Sequence, residues 1–235
     1  MPVLYWNPVT YPLSLLEGEA AGAITTMERE THTSRKGGKE DIIFKAAVRT
    51  IKDKGFHRAR MSDIAKEAGI SYGLVYHYFR NKEDLFDSIL NRWWDSLFLL
   101  LHDLEKRQTK VQDKLSRIIE YFLETYQKDP ELVNVFITEV SRSTANLTRH
   151  RLEHFKKWMS MTEAIIKEGQ ESGVLRVDFK ARYLTYIFLG ALETFVSAMV
   201  LAGQEIKDDA QKQRISDSIL EVFMNGARPG NSKNP

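Results

Sequence analysis

From Lys39 to about Asn225 the apolar positions recur at helical spacing, and no stretch sustains the alternation of a strand. The first run, about Lys39 to Lys54, places Ile43, Ala46, Ala47, Thr50 and Ile51 on one face at i, i+3, i+4, i+7 and i+8. Met61, Ile64, Ala65 and Ala68 do the same over Met61 to Ala68, and Gly69 then suits the left-handed residue that closes a helix. Ser71 is a candidate N-cap for the next segment, in which Val75, Tyr78 and Phe79 can point inward and Tyr72, Leu74, Tyr76 and His77 are left facing out. Asn81 precedes a run to about Arg107, Asp129 and Pro130 read as the cap and first residue of another helix, and Gly55, Gly173 and Gly203 mark further ends. The pattern predicts an all-α chain of about nine helices, three short ones within 39–80 and about six longer ones within 82–227. Residues 1–34 hold Pro2, Pro8 and Pro12 with no sustained period and predict a disordered tail. The expected organisation is therefore a tail (1–34), a three-helix domain (35–81), a six-helix domain (82–227) and a frayed end (228–235).

Composition narrows this picture in three ways. A chain of 235 residues with 43% hydrophobic content can bury a core of one large domain or two small ones. The absence of cysteine excludes disulfides, cysteine-ligated zinc and cysteine nucleophiles. Charge is uneven: residues 35–82 carry twelve Lys and Arg against five Asp and Glu, a net of +7, whereas residues 1–34 carry −3 and residues 83–235 carry −2. A concentrated basic segment suits phosphate binding, although a solvated basic face would give the same charge. Residues 1–10 lack a basic leader, and the short apolar stretch Tyr11 to Leu16 runs into Glu17 and Glu19, so a signal peptide is not expected and the cytoplasm is. Tyr183 to Gly203 is nearly continuous in apolar residues, but Glu193 at its centre, with Thr185 and Thr194, favours a buried interface helix over a membrane span.

The unit Ile64-Ala65-Lys66-Glu67-Ala68-Gly69-Ile70-Ser71 reads as helix, tight turn, helix, the arrangement that sets a second helix into the major groove of double-stranded DNA. Exposed rings on that second helix suit hydrogen bonds to phosphates and contact with thymine methyls. The amide end opened by Ser71 favours a phosphate, and Lys82 can reach the backbone. The residues Gly55-Phe56, Ser62 to Ser71, Gly73, Tyr76-His77-Tyr78-Phe79 and Asn81 to Leu85 together resemble the DNA-binding domain of the TetR family. The resemblance implies a homodimer on a palindromic operator, usually a repressor, released by a small ligand in the C-terminal domain. It implies phosphate contacts from Tyr76 and Lys82, and base-edge positions for Tyr72, Gly73, Leu74 and His77. Arg60 stands where that family commonly has Thr or Ser as N-cap and phosphate contact; arginine can bind phosphate but cannot cap in the same way. The last two helices, about Ala181 to Ala202 and Asp208 to Asn225, would form a four-helix dimer interface.

The C-terminal part carries Trp93, Trp94, Phe98, Phe122, Tyr126, Phe136, Phe155, Trp158, Phe188 and Phe195. Any one of them is best read as core, but together they suggest an apolar effector cavity. Glu139 to Arg142, the Gly169 to Leu175 turn and Phe188 to Glu193 resemble the fatty-acid-degradation regulators of the same family, which respond to long-chain acyl-CoA. The candidate ligand residues are Trp94, Phe98, Phe122, Tyr126, Phe136, Arg142, Trp158, Phe188 and Glu193. Arg142, Arg149, Arg151, Lys156 and Lys157 can attract CoA phosphates or form an ordinary solvated face, and Glu193 leaves room for a cationic, multidrug-type effector. A rival, enzymatic reading rests on His150-Arg151-Leu152-Glu153-His154, which spells the H-x-x-E-H zinc-hydrolase pattern but needs a third ligand from elsewhere. No phosphate loop, dinucleotide fingerprint or serine-nucleophile elbow is present, and no cofactor or catalytic residue is expected.

Overall fold

Nine helices make up the regular structure among residues 27–138 and 149–228, which are the residues described by the computed structural model, and none of these residues lies in a strand. In order they are α1 (Met27–Lys54), α2 (Met61–Glu67), α3 (Tyr72–Tyr78), α4 (Lys82–Lys106), α5 (Val111–Lys128), α6 (Pro130–Phe136), α7 (Arg149–Glu171), α8 (Ala181–Leu201) and α9 (Asp209–Ala227). The expected start of α1 at Lys39 is corrected to Met27. No proline stands between Met27 and Lys54, and once the 39–54 turns are nucleated each further residue adds a hydrogen bond at little cost. The part of the expected tail that remains, residues 1–26, lies outside the described residues.

The chain divides into two compact units, one ending at Ser96 and the other beginning at Leu97. The division falls inside α4 rather than ahead of it, because the first turns of α4 belong to the core of the first unit. Leu85, Phe86 and Ile89 are buried with Ile43, Ile51, Ile64 and Val75, and the ring of Phe86 lies 4.8 Å from that of Phe56. Arg92 of α4 pairs with Asp41 of α1 and lies 4.3 Å from the ring of Phe44. Between α2 and α3 the chain turns on Gly69 at φ +65°, with the Gly69 amide donating to Lys66 O at 3.2 Å and the Ile70 amide to Ala65 O at 3.1 Å. Those two bonds are the Schellman pattern, which needs a left-handed residue where a side chain would be strained by about 1 kcal/mol. The ends read from Gly55, Gly173 and Gly203 show positive φ as well.

In the second unit α5 packs against α6, α7, α8 and α9. It runs antiparallel to α7: Val111 meets Gly169, Lys114 bonds Glu168 at 2.7 Å, and Phe122 stacks on Trp158 at 5.5 Å. Lys114 is 1% exposed, and its ammonium reaches the half-exposed Glu168 carboxylate, so the buried charge is paired. The Asp129 side chain accepts from the Leu132 amide at 3.0 Å, with Pro130 in the first helical turn, as expected. Among the described residues α8 is the one helix long and apolar enough to cross a membrane, yet half of its apolar window is buried within the fold. Leu184, Phe188, Leu192 and Val196 supply its inward face, while Tyr183, Tyr186, Ile187, Phe195 and Leu201 are exposed.

Candidate DNA-reading helix and effector site

The candidate reading helix is α3. Ser71 caps it, its hydroxyl accepting from the Leu74 amide at 3.3 Å. Val75 and Phe79 are its buried anchors, whereas Leu74, expected to face out, and Tyr78, expected to point inward, are both half-buried at the edges of that face. Tyr72, Gly73, Tyr76 and His77 are exposed on the face away from the core, as the apolar spacing requires. The Tyr72 and Tyr76 rings sit 4.7 Å apart, and the Tyr72 hydroxyl donates to the Tyr76 hydroxyl at 3.1 Å. Nothing lies within 4 Å of a Cβ built on Gly73, so the middle of the exposed face is bare backbone.

Arg60 occupies the N-cap of α2, and its side chain offers no acceptor to the helix. The cap comes from Asp63, whose carboxylate accepts from the Arg60 amide at 3.2 Å and takes an ion pair from Lys54 at 3.0 Å. The hydrogen bond from Lys54 holds the Asp63 carboxyl below its usual range, with the Arg60 amide adding to it. The guanidinium of Arg60 is therefore not required for capping.

Lys82 has a role that its position in the sequence does not reveal. Its ammonium donates to the carbonyls of Phe56 at 2.7 Å and His57 at 3.2 Å, and it stands 4.6 Å from the Phe56 ring centroid. It clips the start of α4 to the loop after α1. Asn81 caps α4 by accepting from the Asp84 amide at 2.7 Å.

The structure brings together three of the expected effector residues. Phe98, at the C-terminal part of α4, lies 5.6 Å from His154 of α7. One turn on, Trp158 stacks on Phe122 of α5 and meets Phe155 edge-on at 5.6 Å. Lys157 lies over the Phe98 ring at 4.1 Å, and the exposed Arg149 side chain bonds Glu153 at 3.2 Å. The result is an aromatic wall between α4, α5 and α7 with basic groups at its α7 N-terminal end. His154, which the sequence offered as a metal ligand, serves as part of this wall. Its ring lies 4.3 Å from that of His150, but no group of three His, Asp or Glu that could hold a metal occurs among the described residues.

The other candidates lie elsewhere. Trp94 is 2% exposed and edge-on to Trp93, two residues before the end of the first unit. Tyr126 is 4% exposed, and its hydroxyl donates to the carbonyl of Gln204, so it ties α5 to the α8–α9 loop. Burial, helped by the nearby Glu205 carboxylate, pushes its hydroxyl pKa up. Phe188 is fully buried against Phe223 of α9 at 5.1 Å. Phe136 on α6 and Glu193 on α8 are half-buried. Arg142 and the Glu139 to Arg142 motif lie outside the described residues.

A segment of net charge +7 over residues 35–82 that presents an exposed helix through a glycine turn, followed by a helical unit with a cluster of rings on α4, α5 and α7, is the layout of a helix-turn-helix transcriptional regulator. Residues 43–89 match the family model for bacterial regulatory proteins of the tetR family, and residues 98–226 match that for the C-terminal region of YsiA-like protein. The chain belongs to the TetR family of ligand-responsive transcriptional regulators. It is 27% identical over 184 residues to the fatty acid metabolism regulator protein of Bacillus subtilis, covering 78% of this chain and 93% of that one. It is also 27% identical over 157 residues to the transcriptional repressor KstR2 of Rhodococcus jostii, covering 65% and 77%. Its fold is similar to the crystal structure of FadR from Bacillus subtilis in complex with stearoyl-CoA, with a TM-score of 0.69 at 26% identity, covering 80% of this chain and 98% of that one.

Proposed function

We propose that the chain is a homodimeric repressor that occupies a palindromic operator and leaves it when a long-chain acyl-CoA binds the second unit. The observation that carries this reading is the aromatic wall of Phe98, Phe122 and Trp158 with basic residues at one end. An acyl-CoA joins a long apolar chain to a cluster of phosphates, so it matches both halves of that arrangement, and the Bacillus subtilis relative of known structure was crystallised with stearoyl-CoA. The chain works as a regulator without catalysis; its relatives named above are regulators.

Dimerisation is supported by the apolar residues that α8 leaves exposed, Tyr183, Tyr186, Ile187 and Phe195, with Val222 of α9 beside them in chemistry. A patch of that kind on a monomer marks an interaction surface, and Gly190 and Ala191 on the exposed side of α8 allow a second helix to come close. Two copies of α3 then read half-sites roughly 34–36 Å apart, or a multiple of that spacing. Tyr76, Lys82 and Arg60 act on phosphates; Ser71 presents the helix end; Tyr72, Gly73, Leu74 and His77 stand at base edges. The effector acts by binding the non-fitting spacing better than the fitting one, since equal affinity would shift nothing.

The test is selection of genomic DNA by the purified protein, eluted with buffer or with stearoyl-CoA. A palindrome released by stearoyl-CoA supports the whole reading. A palindrome that stays bound removes the acyl-CoA effector, and no enriched DNA at low salt removes operator binding. Sedimentation of Ile187→Asp against the parent tests the dimer: the variant is expected to be monomeric, folded and unable to hold a palindromic site.

A further inference from the structure

Among the described residues, buried threonines follow a rule with one exception. Thr50, Thr125 and Thr185 each donate to the carbonyl four residues back, at 2.7, 2.7 and 2.9 Å. This is the usual way for a helix to absorb a hydroxyl that water cannot reach. Thr162 of α7 is 0% exposed and its Oγ1 has no hydrogen-bond partner. A buried hydroxyl without a partner costs free energy that an apolar residue of the same shape would not, so each such group calls for a reason. Ser197 and Ser216 share this condition on α8 and α9. What sets Thr162 apart is its place. It stands one turn beyond Trp158, whose ring stacks on Phe122 of α5, and both Trp158 and Thr162 are on the buried face of α7.

The buried face of α7 begins at Arg151, 5% exposed, is interrupted at the exposed Phe155 and resumes at Trp158. Arg149, at the start, has a side chain 94% exposed. Next come Phe155, exposed, and Lys157 over the Phe98 ring. Trp158 is 4% exposed and Thr162 not at all. Beyond it the helix pair is closed: a Cβ on Gly169 would stand 2.7 Å from Leu175 Cδ1, and Glu168 bonds the buried Lys114. From Arg149 to Thr162 the helix rises about 20 Å, a span that the phosphopantetheine arm of CoA can cover. The polar end of such a molecule would lie among the basic residues, and the thioester carbonyl at the far end of the arm would reach the level of Thr162.

We infer that the Thr162 hydroxyl is the donor to the thioester carbonyl of the effector, held against the buried face of α7 one turn past the Phe122–Trp158 stack. This rests on the acyl-CoA reading above and makes it specific. The site selects thioesters over molecules of equal length that lack the carbonyl. It also makes Thr162 a residue of specificity and not of folding, since in the free protein its hydroxyl bonds to nothing.

The experiment measures binding of stearoyl-CoA and of its thioether analogue S-octadecyl-CoA, in which a methylene replaces the carbonyl. The proteins are the full-length parent, Thr162→Val and Thr162→Ser. The parent is expected to prefer stearoyl-CoA by about five- to tenfold, the value of one good hydrogen bond. Thr162→Val should bind both equally and melt no lower than the parent without effector, whereas Thr162→Ser should keep the preference. A parent that binds both equally, or a Thr162→Val that still discriminates, overturns the inference and leaves the acyl-CoA reading standing. A Thr162→Val that melts well below the parent assigns the hydroxyl to the fold and overturns it too. A parent that binds neither compound sinks the effector reading together with this one.

Discussion

Replacing Lys82 with Met separates two roles that the residue can play. The four-carbon stem is kept in shape, while the ammonium and its bonds to the carbonyls of Phe56 and His57 are lost. The bond to Phe56 O is short and part-buried and the one to His57 O is exposed, so the first carries most of the effect. A charge-assisted bond of that kind contributes about 1.5–3 kcal/mol, and the approach to the Phe56 ring adds about 0.5 kcal/mol at a half-exposed site. Allowing for water that replaces part of this, Lys82→Met should destabilise the first unit by about 2 kcal/mol. For a chain of this size that corresponds to a fall of about 4–8 °C in melting temperature. If the ammonium also meets a phosphate, the slope of log affinity for DNA against log salt should become shallower by about 0.9. Thermal melting followed by circular dichroism, and operator titrations between 50 and 200 mM salt, read the two effects separately. A variant that melts with the parent refutes the clip, whatever it does to DNA. A variant that melts lower but keeps the parent's salt slope refutes the phosphate contact alone.

Three further outcomes are expected. Tyr76→Ala should weaken binding to every DNA sequence, while Leu74→Ala should change sequence preference; if both bind the selected operator as the parent does, α3 is not the reading helix. Gly169→Ala gains about 1 kcal/mol in helix propensity but forces a methyl against Leu175 and Val111, at 2.7 and 3.0 Å, so overpacking should win and lower the unfolding free energy by about 1 kcal/mol net. A denaturant midpoint equal to or above the parent's would contradict this. Burial alone would raise the pKa of Glu163, but the bonds from Lys167 and Arg182 outweigh it and hold the carboxyl below its ordinary value. A depressed folded-state pKa contributes stability above the unfolded value that is lost as pH falls through the folded one. Glu163→Gln should therefore narrow the gap to the parent below about pH 4 and show it in full at pH 7.

The sequence by itself determined what depends on neighbours within a turn or two. The helical period, the caps at Ser71 and Asp129, and the turn at Gly69 are set by backbone geometry and by side chains three or four residues apart, and the structure shows them where they were expected. The outward rings of α3 follow from the same period, which leaves no inward place for Tyr72, Tyr76 and His77 once Val75 and Phe79 are buried. Tertiary structure decided what depends on residues far apart in the chain. Two neighbouring helical faces look alike in sequence, so nothing local told that Trp94 meets Trp93 edge-on while Trp158 stacks on Phe122. The carbonyls that Lys82 binds are 25 and 26 residues away, and backbone acceptors carry no sequence signature. The two compact units meet within α4, between Ser96 and Leu97, because a continuous helix can serve two cores with successive turns. Thr162 spells the same residue as Thr125 or Thr185, and only the packing around α7 decides that its hydroxyl is left for something else.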